Sequence, residues 1–267
     1  MKLTIAAAVL ALLTACSSQP ASTAKAPEAA NASLYDAQSV PAGDVGDAIK
    51  YGRELLLNTR NHLPQYVGAN MDCAACHIDA GTKARGGSFA GTAASFPQWN
   101  KRAKRVIELQ DRLAECFLYS MNGHPPAYNS REMVALAAYI TYLSRGVKLG
   151  TKPDPAVTLA SITLPHPDPK AGGAMYSQKC AMCHGAGGAG SAQIPPLWGS
   201  TSFNDGAGMH RLRTMAGFIR YNMPATAPGS LTDRQAFDIA AFVLSHGRPK
   251  FQRSKLVEFP AARADYF

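Results

Sequence analysis

A chain of 267 residues with 46% hydrophobic side chains can bury one core, or two small ones, without help from disulfides. Only 17% of the residues are charged, with Gly 23 and Pro 18, which points to a loop-rich fold; the lack of long alternating β-branched runs argues against a sheet protein. The formal charge of +9 favours anionic partners, but the basic residues are dispersed apart from Lys101, Arg102, Lys104 and Arg105, and no nucleic-acid motif accompanies them.

The N-terminus opens on Met1-Lys2, and residues 3–15 are almost wholly apolar. This is the pattern of a secretory signal, too short to stay in a bilayer as a spanning helix. It ends Leu13-Thr14-Ala15-Cys16, which resembles the bacterial lipoprotein box. The expectation is a signal peptide over residues 1–15, then a lipid anchor on Cys16 and a Ser-, Ala-, Pro- and Thr-rich flexible tether to residue 43. That makes the protein periplasmic, and Ser17 after the lipid cysteine favours the outer membrane.

Periodicity predicts a helix over residues 44–59, with Ile49, Leu55 and Leu56 as apolar positions. Cys73-Ala74-Ala75-Cys76-His77 follows, then a Gly-rich loop over 81–91. A helical pattern over 99–121, in one or two pieces, carries Val106, Leu109, Leu113 and Phe117. Another helix is predicted over 130–145, with Ser130 as N-cap and Gly146 as stop. Residues 149–169 hold five prolines and read as a linker. The plan then repeats: a helix over 172–178, Cys180-Ala181-Met182-Cys183-His184, a loop with Pro195 and Pro196, and a helix over 210–221. Asn222-Met223-Pro224 comes next, then a helix over 232–246 capped by Thr232 and stopped by Gly247. The expected domains are 44–148 and 170–250, followed by a tail over 251–267. The fold class is mainly α, and the order of elements resembles two class I cytochrome c domains in tandem. That resemblance implies a crossing of first and last helices, Gly52 with Tyr139 or Tyr142, and Gly172 or Gly173 with Phe242.

Each Cys-x-x-Cys-His string supplies two thiols for thioether bonds to a haem and an adjacent histidine for its iron. Two covalently bound haem c groups are therefore expected, on Cys73, Cys76 and His77 and on Cys180, Cys183 and His184. Their propionates would lower the net charge. For the opposite iron ligand of the second haem, the candidates are Met209, His210, Met215 and Met223. Met223 is preferred because Pro224 favours extended backbone before it, and because it sits just before the last helix.

For the first haem the candidates are Cys116, Met121 and His124. Of six cysteines, four hold haem and Cys16 takes the lipid, so Cys116 is left without a partner. An unpaired thiol in an oxidising compartment is either buried or used. Cys116 follows His77 by 39 residues, as Met223 follows His184. Arg112, Cys116 and Ser120 are also spaced i, i+4, i+8, so one helix face carries a guanidinium, a thiol and a hydroxyl. Such a face beside a haem is poor core and a good anion site.

The stretch Arg112-Leu113-Ala114-Glu115-Cys116-Phe117-Leu118-Tyr119-Ser120-Met121-Asn122-Gly123, between two Cys-x-x-Cys-His sites, resembles the dihaem thiosulfate dehydrogenase family. The likeness covers about residues 44–248. It implies oxidation of two thiosulfates to tetrathionate, with electrons passing from haem 1 (His77 and Cys116) to haem 2 (His184 and Met223). From there they pass to a small c-type cytochrome or similar acceptor; the reverse, tetrathionate reduction, uses the same site. It further implies that Arg102 and Arg112 hold the sulfonate oxygens and that Ser120 lines the pocket. Some relatives carry Lys before the methionine, where this chain has Asn222, which favours a plain His/Met haem. The competing readings are a non-catalytic dihaem electron carrier, a haem subunit of the sulfur-oxidation system, and a dihaem peroxidase.

Overall fold

The order of helices repeats once along the chain, and each repeat closes on a crossing of its first and last helices. The structure is a computed structural model that describes residues 34–252. The expected signal peptide, the lipidation cysteine and most of the tail lie outside the described residues. The first half holds α1 (Asp44–Leu57), α2 (Thr59–His62), α3 (Ile78–Gly81), a two-stranded sheet of β1 (Gln98–Asn100) and β2 (Arg105–Ile107), α4 (Leu109–Tyr119) and α5 (Arg131–Tyr142). The second holds α6 (Pro169–Lys179), α7 (Ala181–His184), α8 (Leu212–Asn222) and α9 (Asp233–Ser245).

The caps follow local chemistry. The Ser130 side chain accepts from the Met133 amide, and Thr232 and Gln235 form a reciprocal capping box. Helix α6 starts earlier than its pattern suggests, because Asp168 caps Lys170 and Ala171 while Pro169 takes the first helical position. Helix α1 crosses α5, and α6 crosses α9. A Cβ on Gly52 would lie 2.0 Å from the Ala135 carbonyl and 2.8 Å from Tyr139 Cβ. A Cβ on Gly172 would lie 2.0 Å from the Asp238 carbonyl, and one on Gly173 would meet the Phe242 ring at 2.9 Å. The crossings are this close because glycine has no side chain, and Tyr139, Tyr176 and Phe117 fill the cores around them.

The helical pattern over 99–121 is corrected. Its first part is a hairpin, with Gln98 opposite Ile107 and Asn100 opposite Arg105. The Asn100 side chain accepts from the amides of Arg102 and Ala103 and so closes the turn before a helix can start. Val106 therefore lies exposed on a strand and not on the helical face with Leu109, Leu113 and Phe117. Helix α4 begins only after Glu108, which forms a capping box with Asp111.

The segment between the halves is irregular but held throughout. The Arg85 amide donates to the Val157 carbonyl, and those of Gly87 and Ser88 donate to Thr158. Ile162 donates to the Arg213 carbonyl, and Arg234 donates to the carbonyls of Pro165 and His166. The segment is a strap laid along both halves. Direct contacts also join them: Asn70 N–H to Thr201 O at 2.7 Å, and Asn204 Nδ2 to Leu118 O at 2.8 Å. Among the described residues, no helix is long and apolar enough to cross a membrane.

The crossing predicts a strong penalty for any added side chain. Gly52→Val is expected to destabilise the protein by roughly 3 kcal/mol through backbone displacement, measured by urea denaturation of the haem-loaded protein. A loss below about 1 kcal/mol would show that α1 and α5 can part without cost.

Candidate active site and haem crevices

The first Cys-x-x-Cys-His string is anchored from below. The hydroxyl of fully buried Thr59 donates to Leu55 O at 2.8 Å and accepts from the Cys73 amide at 3.0 Å. Arg60 pairs with Asp72 at 3.1 Å, just before the string. The His77 ring stacks on Phe89 at 4.1 Å, and its Nδ1 faces the Gly87 carbonyl at 2.6 Å. Gly87 lies at φ +73, and a Cβ there would meet the Cys76 carbonyl at 2.3 Å. Only glycine brings that carbonyl to the imidazole. In the second half, His184 Nδ1 faces the Pro195 carbonyl at 3.0 Å.

This arrangement fits haem in both halves. With Nδ1–H donating to a carbonyl, the lone pair sits on Nε2, the nitrogen free to ligate iron. Burial lowers the pKa of both imidazoles, that of His77 to about 4, so they stay in the neutral form that binds metal. Burial also pushes the Cys73 and Cys76 thiols up to about 12. Yet Cys73, Cys76 and His77 are each only partly shielded from solvent, so they line a crevice and are not sealed in core. Among the described residues no three His, Cys, Asp or Glu side chains converge on a point that would hold a lone metal ion.

Helix α4 acts on the first string through space. After burial, Cys116 adds to the upward shift of the Cys73 and Cys76 thiols, and it is the largest cause of an upward shift in Arg112. Arg112 in turn disfavours protonation of His77. Arg112 and Cys116 therefore lie within electrostatic reach of the first Cys-x-x-Cys-His string. Arg112 is paired with Glu115 at 3.3 Å, and the Asn100 side chain donates to the other Glu115 oxygen at 2.9 Å. Asn100 thus closes the hairpin and steadies the carboxylate that holds Arg112.

Arg102 stands on the hairpin turn. Its guanidinium lies over the Tyr119 ring at 4.0 Å and donates to Gly206 O of the second half at 2.9 Å. Tyr119 also adds to the upward shift of Arg112. Ser120 caps α4, half buried, with its amide donating to the Cys116 carbonyl. Of the alternatives to Cys116, Met121 is buried in the core and His124 is exposed, edge-on to Tyr66. In the second half, Met215 is core, while Met209, His210 and Met223 are half buried. Met223 leaves α8 in extended backbone, φ −121 and ψ 148. Glu115, Asn100 and Tyr119 carry no motif that would have marked them: Glu115 meets Arg112 by i,i+3 spacing on α4, while the hairpin brings Asn100 to Glu115 and Arg102 to Tyr119.

The family description SoxA/TsdA, cytochrome c domain, matches residues 65–149, and that of cytochrome c oxidase, cbb3-type, subunit III, matches residues 167–243. The thiosulfate dehydrogenase of Allochromatium vinosum is 40% identical over 227 residues, covering 80% of this chain and 83% of that protein. The thiosulfate dehydrogenase of Stutzerimonas stutzeri is 37% identical over 228 residues, covering 83% and 73%. The solved structure of the thiosulfate dehydrogenase TsdBA from Marichromatium purpuratum superposes with a TM-score of 0.77 at 32% identity. The match covers 84% of this chain, which spans about half (51%) of that longer one. With two cytochrome c domains, each built on its own Cys-x-x-Cys-His string, the chain belongs to the thiosulfate dehydrogenase family and carries two covalently bound haem c groups.

Proposed function

We propose that this chain is an exported oxidoreductase that joins two thiosulfate ions into tetrathionate at the crevice around Cys116. The observation that supports the reading is that a free thiol and a guanidinium, one turn apart on α4, lie within electrostatic reach of the first Cys-x-x-Cys-His string. The family to which the chain belongs supports thiosulfate as substrate. In this reading residues 44–148 are the catalytic domain and residues 170–250 the electron-transfer domain. Cys73, Cys76, His77 and Cys116 hold the first haem, and Cys180, Cys183, His184 and Met223 hold the second. Haem c supplies one-electron acceptance, and two haems match the two electrons released before a cytochrome or similar acceptor takes them.

The chain's own residues do the rest. Thiosulfate is a dianion with a nucleophilic outer sulfur, so it needs fixed positive charge. Arg112, oriented by Glu115, and Arg102, seated on Tyr119, grip the sulfonate oxygens, and the Ser120 hydroxyl donates a further hydrogen bond. The Cys116 sulfur bonds to the outer sulfur of the first thiosulfate with loss of two electrons. The outer sulfur of the second thiosulfate then attacks that same sulfur atom. The bond to Cys116 breaks, the thiolate leaves, and tetrathionate departs, as in thiol–disulfide exchange.

Cys116→Gly is expected to lower turnover by at least about 10³-fold in a thiosulfate/ferricyanide assay while both haems stay attached by mass. Electron paramagnetic resonance should lose a thiolate-type low-spin signal in the same variant; full activity would end the reading. Arg112→Lys keeps the charge but loses the planar fork, so KM for thiosulfate is expected to rise about tenfold with less change in kcat. An unchanged KM would remove Arg112 from substrate binding. The periplasmic location and the lipid on Cys16 belong to the same proposal. Cys16→Ser should move the protein from the membrane to the soluble fraction of cells, and a wild-type protein already soluble would refute the anchor.

A further inference from the structure

Asn222 ends helix α8, directly before Met223, and is 1% exposed. Its amide group donates twice, to the Phe218 carbonyl of its own helix at 3.0 Å and to the Arg85 carbonyl of the first half at 2.9 Å. Both N–H donors are thereby engaged and the side chain is locked. Its Oδ1 is buried without a hydrogen-bond partner and lies 3.2 Å from where a Cβ on Gly86 would stand. A buried amide left half satisfied is costly, and an apolar side chain would avoid that cost. The group is explained by what its two donors hold.

They hold a short piece of backbone. Arg85 takes a left-handed φ of 61, with its amide on Val157 O, its Nε on Ala156 O and its guanidinium over the Tyr221 ring at 4.4 Å. Gly86 accepts from the Ile78 amide, beside His77. Gly87 then presents its carbonyl to His77 Nδ1 at 2.6 Å. Two peptide units separate the carbonyl that receives Asn222 from the carbonyl that orients His77. Met223 is meanwhile one residue from the anchor, its amide still bonded to Ile219 O.

We propose that Asn222 is a positioning residue that joins the two haem sites, through the Arg85–Gly87 backbone, by tying the Met223 end of α8 to the loop that orients His77. The inference rests on the reading of His77 and Met223 as iron ligands. A bond from a carbonyl to the ring N–H of a ligating histidine tunes the basicity of that ligand, and the seating of a methionine tunes the other iron. Loosening Asn222 therefore acts on both irons, although the residue belongs to neither set of ligands.

The test uses the full-length protein with both haems attached and no thiosulfate. The readouts are the midpoint potentials of the two haems, from a redox titration, and the methionine-to-iron charge-transfer band of the oxidised protein. Asn222→Ala is expected to weaken the band and to shift both potentials beyond the scatter of replicate titrations. Asn204→Ala removes a different buried amide that bridges the halves, Nδ2 to Leu118 O, and should leave the band and the potential of the second haem unchanged. Wild-type values in Asn222→Ala would overturn the proposal, and so would an equal shift of the second haem in Asn204→Ala, which would mean general loosening of the interface. Met223→Ala separates the two levels: if the band is absent from wild type or survives this substitution, the ligand reading fails and the proposal falls with it. Should Asn222→Ala not yield dihaem protein, Asn222→Ser, which keeps a single donor, takes its place with a smaller shift in the same direction expected.

Discussion

Arg105 and Asp111 meet at 3.0 Å with only 6% and 7% of their side chains exposed, and the helix that carries Arg112, Cys116 and Ser120 starts from that contact. A buried ion pair of this kind adds little net stability over apolar packing, because both charges leave water. Breaking it is another matter, since one charge would remain buried and alone. The pair therefore acts as a locating pin. Arg105 belongs to β2 and Asp111 to the first turn of α4, so strand and helix are held in one register. The Asn100 side chain then spans from the hairpin to Glu115, and Glu115 to Arg112. The guanidinium is thus held by a carboxylate of its own helix, which a residue of β1 steadies from outside.

The two halves share a frame and differ in what they place on it. In both, a glycine lets the first helix lie against the backbone of the last, and in both a carbonyl ten or eleven residues past the histidine receives its Nδ1. That shared frame produces two haem sites with the same proximal chemistry. The difference lies opposite. The first half carries a thiol and a guanidinium one turn apart on α4, and the second carries a methionine on half-buried, extended backbone. In the proposed reading, one duplicated scaffold serves substrate chemistry in one half and electron transfer in the other, because Cys116 and Met223 hang on separate segments. Those segments can vary without disturbing the helix crossings.

The strap between the halves is more than a tether. A free linker would let the two domains change their distance, and with it the path of an electron. Here residues 157–162 bond to the loop after His77 and to the turn entering α8 in succession. Arg102, on the first half, is completed by the Gly206 carbonyl of the second. The seating of Arg102 therefore depends on the docking of the second half.

Much of this was legible from the residues in order. The two Cys-x-x-Cys-His strings, the duplicated plan, the caps at Ser130 and Thr232 and the unpaired Cys116 are local features, each decided by neighbours within a helical turn or by simple counting. The glycine–aromatic crossings followed from the resemblance to tandem cytochromes. What the order of residues did not reveal depends on partners far along the chain. Residues 99–107 carry a helical pattern, but the Asn100 side chain accepts from the Arg102 and Ala103 amides and closes a hairpin instead. Glu115 reads as an ordinary helix residue beside Arg112 until the hairpin brings Asn100 onto its other oxygen. Asn222 reads as an absent lysine until Arg85, 137 residues earlier, comes within 2.9 Å. Helix spacing, caps and covalent motifs are short-range and survive in a string of letters. The direction of a guanidinium or the seating of a methionine is set by which distant backbone carbonyl arrives beside it, and only the folded chain decides that.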